Sequence, residues 1–372
     1  MASCAGSSRL NRLTPPEGVP RTDPKNFRQE LAARQLEWRR RQGPEVNQEP
    51  LVYTVRDRNR SLELAFPRDH WKDNLWPGVR TEVERQLRRD IKAHKWKNHL
   101  LSSWAACSNL YLPFSTDVDG RALLTGFLRS EVTPGLARIL RVELEYAVEE
   151  SDDLHPSKLL GESGGGRGSG QTSPDLAFLG ELESGGPAIL LVESKLTEHS
   201  FYPCSHLKAR NPNPEPQRCH RMGEVVRSPE TMCHQNQSAP RGMGRRYWTV
   251  LQKAANVALL EGLPHCPALH AGYQLLRQHA LAEGYAASGR FDLVISAVAY
   301  DERNDELISS LEGSGIPDFR SDWGGLFRGR SNFRSWTHQA WVRWVREHCD
   351  RDRWSEWLKY VAERYGYGRA PQ

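Results

Sequence analysis

Two acidic residues and a lysine interrupt what is otherwise a pair of apolar strands. The segment from Gln171 to Phe201, QTSPDLAFLGELESGGPAILLVESKLTEHSF, reads as a hairpin around a Gly-Gly turn. It places Asp175 on the first strand and Glu193 and Lys195 on the second. Side chains alternate along a strand, so Glu193 and Lys195 share one face while Val192 and Ser194 share the other. A turn centred on Gly185 sets Asp175 opposite Lys195 and diagonal to Glu193. A slip of one residue would move Asp175 to the other face. The run AILLV before Glu193 is continuously apolar, the pattern of a strand covered on both sides. A carboxylate and an ammonium at its end are costly unless paired or bound to an ion.

A cross-strand ion pair at a sheet edge would satisfy these charges, and so would a metal-dependent catalytic site. The residue types suit the second. Two hard carboxylate oxygens, with a backbone carbonyl such as that of Ser194, fit Mg²⁺ or Mn²⁺, which keeps waters for contact with a substrate. Such an ion polarises a phosphodiester and favours deprotonation of an attacking water. Lys195 would orient that water or stabilise the charge that develops on the phosphoryl oxygens.

The surrounding elements must position these groups. Residues 1–22 read as a flexible lead-in rich in Ser, Pro and Arg. A region over 23–110 begins with a basic helix capped by Asp23, with Pro24 at its first position and its end near Gly43. A hairpin is expected over 51–66. An amphipathic helix is expected from about Val79 to His99, with Val83, Leu87 and Ile91 on one face and Arg and Lys opposite, a face more often solvated than bound to nucleic acid. GRALLTGFLRSEV reads as a helix, LARILRVELEYAVEE as a strand ending in acids, and GESGGGRGSGQ as a loop. YQLLRQHALAEG reads as a helix and RFDLVISAVAY as a strand. A mixed α/β core over 111–305 is the expected architecture, with helices on the faces of a central sheet and Trp-rich helices over 306–372.

At Pro174-Asp175 and Glu193-Ser194-Lys195 the chain resembles the PD-(D/E)XK nuclease superfamily, which shares the restriction-endonuclease-like core. The resemblance extends from about Gly120 to Tyr300 and points to a prokaryotic branch. It implies a mixed central sheet, Mg²⁺-dependent phosphodiester cleavage and catalytic roles for Asp175, Glu193 and Lys195, with Asp175 and Glu193 holding the metal. Many members add an acidic residue before the Asp strand. Glu131, Glu143, Glu145 and Glu162 are candidates here, and Glu162 is preferred because LLGE ends an apolar patch just before the Gly-rich loop. Members also present a Gln from the helix that follows the signature strand. Gln274 fits that role, on a polar face expected to include Arg277 and Gln278.

Cys204, Cys219, Cys233 and Cys266 all fall between the Glu193 strand and the YQLLRQ helix, in a segment over 200–266. Residues 200–245 have few large aliphatics and cannot build a core alone. The spacing lacks tight C-x-x-C pairs, and His206, His220 and His234 stand beside three of the cysteines. A metal clip would order such a segment: Zn²⁺, or an iron–sulfur cluster as some nuclease relatives carry. Unrelated free thiols are the alternative. Cys4, Cys107 and Cys349 are scattered.

At the C-terminus, Trp341, Trp344 and Val345 form one helical stripe, and Trp354, Trp357, Leu358 and Val361 a second. Stripes of this kind bury against a domain. Arg343, Arg346, Arg351 and Arg353 would face outward, in reach of phosphates.

Composition sets the outer limits. The chain has 372 residues and a formal net charge of +5, which permits a polyanionic partner without requiring one. No apolar run approaches the ~20 residues of a membrane span, and the N-terminus lacks an apolar signal core, so a cytoplasmic protein with reduced thiols is expected. The expectation is therefore a nuclease acting on DNA, with a homodimer suited to double-strand cleavage. Two other readings stay open: an inactive nucleic-acid-binding module on the same fold, and a zinc-stabilised interaction protein.

Overall fold

The apolar run that ends in Glu193-Ser194-Lys195 becomes the middle strand of a five-stranded sheet. The computed structural model describes residues 24–42, 64–88, 91–92, 96–205, 212–239 and 241–368. In chain order its main elements are helices α1 (Pro24–Arg40), α2 (Arg80–Leu87), α3 (Ser103–Tyr111) and α4 (Val118–Glu131), then strands β1 (Leu136–Leu144), β2 (Leu176–Leu182) and β3 (Pro187–Lys195). Helix α5 (Tyr273–Ala287), strands β4 (Leu293–Tyr300) and β5 (Asn332–Thr337), and helices α6 (His338–His348) and α7 (Arg351–Tyr365) complete the set. The strands lie in sequence order, with β1, β2 and β3 antiparallel and β3, β4 and β5 parallel.

The alternation of side chains divides the core in two. Leu176, Phe178, Leu190 and Val192 face a cluster formed with α3, α4, α6 and α7. Ala177, Ile189, Leu191, Val294 and Val298 face the opposite way, onto α5. Both faces of β3 are therefore covered, which is why its sequence is apolar without interruption. Helix starts are fixed by side-chain caps: Asp117 accepts from Gly120 N at 2.8 Å, and Thr337 accepts from Ala340 N at 3.0 Å.

Several elements depart from what the sequence suggests. The helix expected from Val79 to His99 stops at Leu87. Ile91 instead bridges to Arg167, and Lys92 N donates to Arg167 O at 2.9 Å, so this stretch pairs with the Gly-rich loop. The hairpin expected over 51–66 falls almost wholly outside the described residues, as does the lead-in over 1–22, whereas the first helix ends at Arg40, three residues before the expected Gly43. Trp336 lies on β5, an edge strand that its polar sequence NFRSWT does not announce. The segment after β3, which could not build a core alone, joins that of the sheet. Met222, Val225, Val226, Tyr247, Trp248 and Leu251 are buried in the cluster under α5, so its few apolar residues share a core with the sheet.

The C-terminal stripes bury as their periodicity indicates. Trp341, Val345, Trp354, Trp357 and Val361 are buried, whereas Trp344 is half-buried. Arg353 pairs with Asp117 and Asp119, and Arg343 with Glu302, so these arginines have protein partners. Trp357 packs edge-on to Phe114 at 4.8 Å, and its Nε1 donates to Asn109 O at 2.9 Å. Replacing it with alanine leaves both a cavity and an unpaired carbonyl. Trp357→Ala is expected to lower stability by about 3–5 kcal/mol, seen as a lower urea midpoint with the slope unchanged.

Candidate active site

The β2–β3 ladder sets Leu176 level with Val192, which brings Asp175 level with Glu193 rather than with Lys195. The turn is the cause. Leu182 N donates to Gly186 O and Gly185 N to Leu182 O, both at 2.8 Å, closing a three-residue loop with Gly185 at φ +84°. The shift from the expected pairing is even, so the face is kept. Asp175, Glu193 and Lys195 all project to the α5 side of the sheet, at the carboxyl end of β3.

Their contacts are direct. Asp175 Oδ2 accepts from the Ser194 backbone N–H at 2.7 Å. Lys195 Nζ donates to Glu193 Oε1 at 2.7 Å and to Gln274 Oε1, from the first turn of α5, also at 2.7 Å. The rings of Phe201 and Tyr202 lie 5.9 and 5.4 Å from the same nitrogen. Glu193 and Lys195 are 7% and 2% exposed, whereas Asp175 is half-buried. Burial alone would lower the Lys195 pKa, but the negative charges of Glu193, Glu198 and Asp175 override it and hold the ammonium above its usual value. Lys195 is therefore a cation here, not a free base.

The carboxylates carry the opposite strain. Burial and the neighbouring Glu193 raise the Asp175 pKa, against the pull of Lys195 and the Ser194 N–H. Burial, Asp175 and Glu193 raise that of Glu145. Among the four candidates for an additional acid, Glu145 is the one joined to this group. Glu131 is exposed, and Glu143 pairs with Arg141 and Arg167. Glu162, the residue preferred from sequence, accepts from Thr172 N and Thr172 Oγ1 at 2.5 Å and from Tyr247 OH at 2.7 Å, which engages its carboxylate elsewhere.

Glu145 follows the last residue of β1 with φ +46°, a left-handed conformation uncommon for a glutamate. Its N–H donates to Asp175 O at 3.0 Å, and Arg167 Nε donates to its carbonyl at 3.1 Å. Gly168, at φ +77°, lies so close that a Cβ there would sit 3.1 Å from Glu145 Cδ. The Gly-rich loop thus walls the acid in. No sequence pattern marks this kink. Glu198 was also not foreseen: its Oε2 accepts from Leu196 N at 2.8 Å and Thr197 N at 3.0 Å.

The far side of Lys195 is anchored by its backbone. His338 Nε2 lies 3.2 Å from Lys195 O, Tyr111 OH 3.0 Å from His338 Nδ1, and Trp336 Nε1 donates to Tyr111 OH at 3.0 Å. Burial lowers the His338 pKa to about 4, so the ring is neutral. The Trp336 donor leaves Tyr111 OH to donate to Nδ1, and Nε2–H to donate to Lys195 O, a tautomer assigned from the network. On α5, Gln278 does not share the polar face expected of it. It is buried and its Nε2 donates to Leu191 O and Ala297 O at 3.0 and 2.9 Å, tying β3 to β4. Arg277 stacks on Tyr273 at 5.0 Å, and the charges of Glu162 and Glu193 act on it. Its Nε is buried without a hydrogen-bond partner among the described residues.

Asp175, Glu193 and Glu145 are carboxylates, the hard oxygen type that divalent cations such as Mg²⁺ prefer, and burial with mutual repulsion raises the pKa of Asp175 and Glu145. Among the described residues, no group of three or more His, Cys, Asp or Glu side chains is placed to hold a metal ion. Mg²⁺ needs only one or two carboxylates and fills its shell with water and substrate oxygens, so an open pair suits it.

The model of the family described as "Restriction Endonuclease associating with ARP" matches residues 31–366. No curated protein and no solved structure gives a significant match. No helix among the described residues is long and apolar enough to cross a membrane.

The raised Asp175 and Glu145 values have a consequence for stability. A carboxyl whose pKa is higher in the folded state favours the fold at low pH, and that contribution is lost as pH rises through the raised value. Metal-free protein is therefore expected to lose stability as pH climbs above the ordinary carboxylate range, about 4. Asp175→Asn keeps an acceptor for the Ser194 N–H and removes the charge. At neutral pH in EDTA it is expected to be about 1 kcal/mol more stable than the parent chain, with the difference closing toward low pH in urea unfolding.

Proposed function

Because the chain belongs to the family of restriction endonucleases associating with ARP, we propose that it is a Mg²⁺- or Mn²⁺-dependent nuclease of the PD-(D/E)XK type that hydrolyses phosphodiester bonds in DNA. The observation that carries this reading is the single cluster of Asp175, Glu193 and Lys195 on one face of the sheet, linked through Ser194 N and Gln274. An inactive binding module would have no need of the complete set.

Asp175 and Glu193 would hold the metal, with Glu145 as the third carboxylate. When bound there, the ion would polarise the scissile phosphodiester and lower the pKa of an attacking water. The remaining roles belong to the chain. The Ser194 N–H holds Asp175 Oδ2 and leaves Oδ1 for the ion. Lys195, kept protonated by the surrounding carboxylates, donates to the attacking water or to a phosphoryl oxygen as negative charge builds there. Gln274 fixes the direction of the ammonium, since its Oε1 takes one of the three N–H bonds. Arg277, half-buried beside Glu193 with an unpaired Nε, supplies positive charge for a neighbouring phosphate.

The test is incubation with linear, circular and single-stranded DNA in Mg²⁺ or in EDTA. Cleavage is expected only with the metal. Lys195→Ala is expected to reduce the rate by roughly 10²–10³-fold, and Asp175→Asn and Glu193→Gln at least as much. Glu145→Gln should fall further than Glu162→Gln when both variants remain folded. Cleavage that persists in EDTA, or that survives Lys195→Ala undiminished, contradicts the assignment.

A further inference from the structure

Four cysteines far apart in sequence converge beneath α5, away from any role in phosphodiester cleavage. Three backbone and side-chain tethers draw them together. Cys266 N donates to Cys219 O at 2.7 Å, and Cys204 N to Ala268 O, two residues past Cys266, also at 2.7 Å. Gln235, two residues past Cys233, donates from Nε2 to Cys204 Sγ at 3.3 Å. Cys266 is buried in the α5-side core, and Cys219 and Cys233 pack against it. Electrostatics reports the same proximity. A charge on Cys204 acts on Cys219, Cys233 and Cys266, and Cys219 and Cys233 act on Cys266 in turn.

The secondary structure of this segment supplies the motive. Between β3 and α5 the helices are short: Pro216–His220, Met222–Arg227, Pro229–Met232, Tyr247–Leu251 and Val257–Glu261. Helices of one or two turns gain little from their own backbone bonds and depend on what they pack against or are linked to. Oxygen ligands do not dominate the site, so a hard cation is disfavoured and a thiophilic one favoured. As placed, the described residues hold no group of three or more His, Cys, Asp or Glu side chains able to take a metal ion, so binding requires these tethered cysteines to turn their thiols toward one another.

We propose that Cys204, Cys219, Cys233 and Cys266 bind one structural Zn²⁺ that links the loop after β3 to the segment entering α5. The ion would tie the Cys204 loop, which follows the Lys195 strand, to the approach of the helix that carries Gln274. Its role is to hold the fold; it takes no part in the chemistry.

The test uses the full chain, purified without added metal and dialysed against a mild chelator. Elemental analysis is expected to find about one zinc per chain. Cys266→Ser and Cys219→Ser are expected to lose most of it, while Cys349→Ser and Asp175→Asn retain it. Should a variant fail to fold, a mercurial titration of the unmodified chain serves instead, with zinc release followed by a chromogenic chelator and expected to saturate as four thiols react. Zinc-free protein that is folded overturns the proposal, as does zinc that survives Cys266→Ser. Iron with visible absorbance in place of zinc overturns the identity of the metal. None of these outcomes bears on cleavage at Asp175, Glu193 and Lys195, so the two readings fail separately.

Discussion

The structure depends on one electrostatic constraint: several carboxylates crowd around a single buried ammonium. Glu193, Glu198 and Asp175 act on Lys195 at the end of β3, and Asp175 and Glu193 act on Glu145. Arg167 near Glu145 and Arg277 near Glu193 are the further cations acting on this group. At short range and low dielectric, like charges repel too strongly to remain ionised without help. Lys195 offsets part of that repulsion through its bond to Glu193. The remainder is relieved either by protons or by a bound cation. Such an arrangement costs stability at that point.

The sheet explains why the charges can be held there at all. β3 sits where the antiparallel half meets the parallel half, with β2 on one side and β4 on the other. Its carboxyl end is thus gripped by two ladders and roofed by α5. Sites outside the carboxyl ends of parallel strands are the common location for ligands in open α/β sheets. Helices α6 and α3 act from the opposite face, through His338 and Tyr111, on the Lys195 carbonyl. Both sides of the strand therefore position a side chain that projects to one of them, and Gln278 locks β3 to β4 one step behind the site.

Much of this was legible in the chain. Strict alternation puts Glu193 and Lys195 on one face whatever the turn, and any even register keeps Asp175 with them. The particular pairing was not legible, because Ser184, Gly185 and Gly186 allow more than one tight turn and only hydrogen-bond closure selects among them. Glu145 was one candidate among four because its place in the cluster rests on a left-handed backbone kink and on Gly168 pressed against it, neither of which has a local periodicity. Glu162 looked attractive as the acid closing an apolar patch, yet the apolar patch serves a buried bond to Tyr247, a partner 85 residues away. The early end of α2 and the polar edge strand β5 were hidden for the same reason. Tertiary pairing, not propensity, decides both. The Trp stripes were easier, since burial of one helix face is itself a periodic signal.

The most direct measurement is a crystal structure of the protein soaked with Mn²⁺, read by anomalous scattering. The account predicts one peak at ligating distance from both the Asp175 and Glu193 carboxylates, with Lys195 directed toward the same space. Well-ordered Asp175 and Glu193 with no peak between them at saturating Mn²⁺, or side chains diverging to opposite surfaces of the sheet, would contradict it.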